Sequence, residues 1–156
     1  MVIADIEKPK FISKDQIKTA IKKSSKLLGF NYEYIYYGRK YFDKLEMIPY
    51  IELKKAIEKR LDFLKPGTVF IPYSGYNAST IRLNTVVRSI SCFREISLLE
   101  YGDLDSCNLR YDLEYKKAEI VGKKCMALSY FDEYTEGITV DSIERFNILK
   151  MYRSSL

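Results

Sequence analysis

The chain has 156 residues, 47% of them hydrophobic and 30% charged, and a formal net charge of +5. That length and balance suit one globular domain with a core of its own and exclude extended disorder. The sequence contains no histidine, which removes the commonest general base and every Ser-His-Asp or Cys-His mechanism.

The three cysteines, Cys92, Cys107 and Cys125, are odd in number and widely spaced. They form neither a disulfide framework nor a zinc site of CxxC spacing, so a reducing, cytoplasmic setting is expected. The opening MVIADIEKPKF carries Asp5 and Glu7 and reads as neither signal peptide nor anchor. No stretch approaches the ~20 apolar residues of a spanning helix, and no membrane partner is expected. Charge is unevenly spread. Met1 to Pro66 holds 15 Lys and Arg against 9 Asp and Glu, whereas Gly67 to Leu156 holds 11 against 12. A basic first half points to a polyanionic partner, nucleic acid foremost.

Taken in order, residues 1–10 read as a tail or edge strand. Ser13 and Gln16 have capping-box spacing, Gly29 is a helix stop, and Ile17, Ala20, Ile21, Ser24, Leu27 and Leu28 recur at helical spacing, so a helix is predicted between them. Lys14, Lys18, Lys22 and Lys26 follow one another at four-residue steps with Lys23 beside them, and therefore share one side of that helix. Such a stripe suits phosphate backbone, although a lysine-rich face also serves simply to be solvated. The run FNYEYIYYGRKYF, residues 30–42, alternates Phe30, Tyr32, Tyr34 and Tyr36 ahead of Gly38, Arg39 and Lys40, as a strand leading into a turn or hairpin. Rings interleaved with basic groups are what single-stranded nucleic acids stack upon; tyrosines packed on the preceding helix explain the same pattern.

A second helix is predicted from Pro49 to Lys65, with Ile51 or Leu53, Ala56, Ile57, Leu61 and Leu64 inward and Pro66-Gly67 as its stop. Helix, aromatic strand and helix resemble a small winged-helix or helix-turn-helix module at the level of element order alone. Thr68 to Tyr73 reads as a strand. The loop Ser74, Gly75, Tyr76, Asn77 then leads into Ser79, Thr80 and a helix with Leu83, Val86, Val87, Ile90 and Phe93 inward. A hydroxyl-rich loop at a helix N-terminus presents free amides to an anion, with Arg82 nearby, so Ser74, Gly75, Asn77, Ser79, Thr80 and Arg82 form a candidate anion site; capping by Ser79 or Asn77 accounts for the same residues.

Beyond Arg94 the period shifts towards two. Strands are predicted at Ile96 to Tyr101, Asn108 to Tyr115, Ala118 to Val121, Cys125 to Phe131 and Ile138 to Val140, with Gly122-Lys123 as a turn. Residues 141–152 read as a final strand or a C-terminal helix, the strand being preferred. This order, with its ending ITVDSIERFNIL, distantly resembles the barrels of bacterial regulators called WYL domains over Asn84 to Leu149. It departs from them where Lys124, Cys125 and Met126 stand in place of the Trp-Tyr-Leu motif.

The expected fold is therefore α+β, a single domain over residues 1–156. A basic helical N-terminal half (11–66), of two to three helices with a short Tyr-rich strand or hairpin, packs on a C-terminal antiparallel sheet or small barrel (67–156). Asp103, Asp105, Asp132 and Glu133 are acidic residues of predicted turns without a third spaced ligand, so no metal, cofactor or catalytic residue is assigned. The expected function is a non-enzymatic nucleic-acid-binding or regulatory protein of the kind carried by phages, viruses or plasmids. Contact would run through Lys14, Lys18, Lys22, Lys23, Lys26, Arg39 and Lys40 with Tyr34 and Tyr36. The alternatives are a protein-interaction module, or homo-oligomer, using a Tyr-rich surface, and a binder of a small anion at the 74–82 loop.

Overall fold

A computed structural model describes residues 14–34, 45–75, 77–101, 110–114, 118–130 and 143–152. Its helices are α1 (Lys14–Leu28), α2 (Tyr50–Leu64), α3 (Ala78–Ser91) and α4 (Ala118–Ser129), and its strands β1 (Thr68–Pro72), β2 (Ser97–Tyr101), β3 (Arg110–Glu114) and β4 (Ile143–Lys150), with a 3-10 turn at Leu45–Met47. The α+β class is as expected. The chain divides into two compact units, residues 1–36 with 113–144 and residues 37–112 with 145–156. The division foreseen at residues 66 and 67 falls inside the second of these.

In the first unit α1 packs on α4. Ile17, Ala20, Ile21 and Ser24 are buried as their spacing predicts, but Leu28 is exposed and Ser25 is buried instead. Ser24 Oγ donates to the Ala127 carbonyl at 3.2 Å, which joins the two helices through a satisfied buried hydroxyl. Gly29 closes α1 at φ 72°, with its N–H donating to the Ser25 carbonyl at 2.9 Å. That left-handed conformation is why a glycine stands there. The predicted cap Ser13 and the acidic pairs Asp103/Asp105 and Asp132/Glu133 lie outside the described residues.

α4 corrects the two strands expected at 118–121 and 125–131. Ile120, Val121, Lys124, Ala127 and Leu128 are the buried or half-buried positions, and that spacing is helical rather than alternating. Glu119 and Lys123 add an ion pair one turn apart at 2.6 Å. β-branched residues and a Gly-Lys dipeptide imitate two strands and a turn, but Gly122 sits in the helix with open space around it.

The second unit is built around β1, α3 and β2. β1 and β2 pair in parallel, Thr68 opposite Ser97 through Pro72 opposite Tyr101, and α3 is the crossover between them. β4 runs antiparallel to β2, and the sheet order is β1-β2-β4-β3. Among the described residues the sheet is thus mixed and four-stranded, which corrects the antiparallel sheet or barrel expected from the turns. A helix between two strands is the connection that parallel pairing requires. Ser97 to Glu100 are all buried, as befits an inner strand. The final strand preferred over residues 141–152 is present as β4, with a register shift opposite Leu98 and Leu99.

α3 packs against β1, β2, α2 and the 3-10 turn. The core holds Leu53, Ile57 and Leu61 of α2, Val86, Val87 and Ile90 of α3, and Ile71, Leu98, Leu99 and Phe146 of the sheet. At its centre lies Asn84, 2% exposed, whose Nδ2 donates to the Pro72 carbonyl at 3.0 Å and to Glu100 Oε1 at 2.7 Å. One amide therefore ties the crossover helix to the ends of both parallel strands.

Two stability predictions follow from this unit. Asn84→Ala leaves Pro72 and Glu100 short of a donor and should lower the free energy of unfolding by roughly 1–3 kcal/mol in urea titrations. Loss of less than about 0.5 kcal/mol would mean that the bridge is not a structural tie. Asp62 accepts from Arg94, and this hydrogen bond holds its carboxyl below its ordinary value of 3.8. A depressed acid contributes stability above its unfolded pKa and loses it as pH falls through the folded value. Asp62→Asn should therefore be less stable than the wild type at neutral pH, and the two should converge below about pH 4 in acid titrations followed by circular dichroism.

Candidate nucleic-acid interface

α1 turns its buried stripe towards α4 and leaves Lys22, Lys23 and Lys26 exposed. No Asp or Glu occurs between residues 16 and 32. Among the described residues, no carboxylate lies within salt-bridge distance of these three ammonium groups. Lys18 differs, since it is half-buried and pairs with Asp15 at 3.3 Å. In the other helices Lys54 pairs with Glu58 at 3.8 Å and Lys123 with Glu119 at 2.6 Å, while Lys55 and Lys59 of α2 are exposed. Lys23 Nζ stands 5.4 Å from the centre of the Tyr130 ring, a cation over an aromatic face. Lys14 opens the helix.

Of the aromatic run, Arg39, Lys40 and Tyr36 lie outside the described residues, and residues 30–34 form no strand. Tyr34 is half-buried and meets Tyr32 edge to face, with ring centres 5.7 Å apart at 81°. The described tyrosines of the run therefore pack together and do not present an open stacking surface.

The loop before α3 belongs to the second unit. Asn77 caps the helix: its Oδ1 accepts from the Thr80 N–H at 2.9 Å, while its own N–H donates to Thr80 Oγ1 at 3.0 Å. Ser79 Oγ donates to a carboxylate oxygen of Glu46, and Arg82 Nη2 donates to the Glu46 carbonyl at 3.3 Å. The Tyr73 ring occupies the space a side chain at Gly75 would need. Ser74 is half-buried. The reciprocal Asn77–Thr80 pair is a capping box, and Glu46 brings to this helix end the negative charge its dipole favours. Several of the groups expected to meet an external anion are thus engaged within the chain.

Among the described residues there is no cluster of side chains that could hold a metal ion and no helix long and apolar enough to cross a membrane. Comparison with protein-family models, with curated proteins and with solved structures finds no match to this chain.

One surface feature escapes the sequence reading. Phe93, expected to continue the inward stripe of α3, is 95% exposed, because the helix stops at Ser91 and the stripe with it. The stop carries no glycine or proline: Cys92 remains in the right-handed region and donates to the Arg88 carbonyl at 3.1 Å.

Asn77→Ala removes the α3 cap and should cost about 1 kcal/mol in chemical denaturation. Because Glu46 supplies negative charge here, millimolar phosphate should not restore the loss; full restoration by phosphate would establish an anion site at this helix end.

Proposed function

We propose that the protein binds nucleic acid, without catalysis, through the exposed lysine face of α1. One observation carries this reading: Lys22, Lys23 and Lys26 stand exposed within an acid-free run, unmatched by any described carboxylate, whereas Lys18, Lys54 and Lys123 are each paired. Like charges one turn apart disfavour a helix slightly, so the arrangement does not serve α1 itself. An array of solvated ammonium groups attracts phosphates by releasing condensed counterions, which makes affinity steeply salt-dependent and largely indifferent to sequence. A cytoplasmic regulator of viral or plasmid type is the setting this chemistry suits.

Lys18, paired with Asp15, contributes less to this face than Lys22, Lys23 and Lys26. The alternative is a protein-interaction module using a Tyr-rich surface; of the described tyrosines, Tyr32 and Tyr34 are half-buried and Tyr101 and Tyr152 exposed.

Replacing Lys22, Lys23 and Lys26 together by Ala should leave the fold intact. In anisotropy titrations with duplex and single-stranded oligonucleotides, it should flatten the dependence of log affinity on log salt by about 2 to 3. An unchanged slope, or no binding by the wild type at low salt, would overturn the proposal.

A further inference from the structure

Among the described residues of the second unit, the most exposed aromatic rings are Phe63, at 76%, and Phe93, at 95%. Phe63 is the penultimate residue of α2, and Phe93 lies just beyond α3. These two helices pack on each other, and the ion pair of Arg94 with Asp62 joins the residue after Phe93 to the residue before Phe63. Both positions are held from behind. Lys150 Nζ donates to the carbonyls of Ser91 and Arg94 at 2.5 and 2.6 Å, closing the turn that carries Phe93. Lys65, at φ 45°, donates its N–H to the Leu61 carbonyl at 2.8 Å and closes the turn that carries Phe63. Neither ring stacks on another ring among the described residues.

The charge around these rings selects the occupant. Lys59 lies one turn before Phe63 on the same side of α2, and Lys65 and Arg88 are exposed as well. Of the acids nearby, Asp62 pairs with Arg94 and Glu58 with Lys54 at 3.8 Å, while Glu95 keeps its charge against Lys59, Lys65 and Arg88. The surplus is positive. Two exposed rings on backbone turns closed by hydrogen bonds, with a surplus of cationic side chains on the same elements, fit a strand that offers flat, unpaired bases and phosphates together. A duplex keeps its bases stacked internally and offers such rings no face.

We infer that Phe63 and Phe93 form a stacking platform for single-stranded nucleic acid, with Lys59, Lys65 and Arg88 meeting the adjoining phosphates. This rests on the nucleic-acid reading above and adds a preference for unpaired strands.

The test is an anisotropy titration of a short oligothymidylate and of a matched duplex, at one low salt concentration. The proteins compared are the wild type, F63A/F93A, F63L/F93L, F63Y/F93Y and the Lys22, Lys23, Lys26 alanine variant, with circular dichroism to verify folding. F63A/F93A should weaken single-strand binding about tenfold or more, with duplex binding within about twofold of wild type. F63Y/F93Y, which keeps the rings, should bind as the wild type does, and F63L/F93L should not. Unchanged single-strand binding by F63A/F93A, or full binding by F63L/F93L, overturns the platform; the second result would mean that apolar contact rather than ring stacking holds the strand. Loss through the phenylalanines with none through the lysines would sink the α1 reading and keep the platform. Loss through the lysines alone would do the reverse.

Discussion

The second unit depends on one buried amide. Asn84 of α3 donates at once to the carbonyl that ends β1 and to the carboxylate near the end of β2. A carboxylate as buried as Glu100 is tolerable only where donors replace its lost water. The same requirement places the crossover helix with its second turn over the strand ends. The polar pair at this point gives the helix a fixed registration that apolar packing by Val86, Val87 and Ile90 would leave looser. Everything else in the unit is referred to this frame, including the α2 side chains that reach α3, such as Tyr50, whose hydroxyl meets Ser89 at 2.8 Å.

From that frame the surface features acquire their positions. α3 ends where its stripe of buried residues ends, and the chain must turn to enter β2. Lys150 from β4 donates to the carbonyls of Ser91 and Arg94, the Arg94 N–H donates to the Ser91 carbonyl, and Phe93 is left outside. In the first unit a simpler rule operates. α1 is anchored to α4 through Ser24 and its apolar stripe, so Lys22, Lys23 and Lys26 on its other side are left exposed. The nucleic-acid proposal is therefore a reading of what the packing leaves uncompensated.

The helical period and the stops made α1, α2 and α3 legible in the sequence, because Gly29 and Pro66-Gly67 are unambiguous punctuation. β1 and β2 were legible too, yet their pairing was not drawn from the strand-helix-strand order that implies it. α4 was misread because local preference and period disagreed: Ile120, Val121 and Gly122 favour strand and turn, while the spacing from Ile120 to Leu128 favours helix. Tertiary packing on α1 decides such a conflict, and packing partners are absent from a local reading. The lysine face was visible because it is periodic. The pairing of Lys18 with Asp15 was also within reach, being three residues apart. Phe93 was not, since its exposure depends on where α3 stops, and that stop has no sequence marker.

The central claim, that the α1 lysines engage nucleic acid, is tested most directly by differential lysine acetylation read by mass spectrometry, with and without a saturating oligonucleotide at low salt. The account predicts that Lys22, Lys23 and Lys26 become protected while Lys54 and Lys123, already paired with carboxylates, are labelled equally in both conditions. Equal labelling of Lys22, Lys23 and Lys26 with the oligonucleotide bound would contradict it.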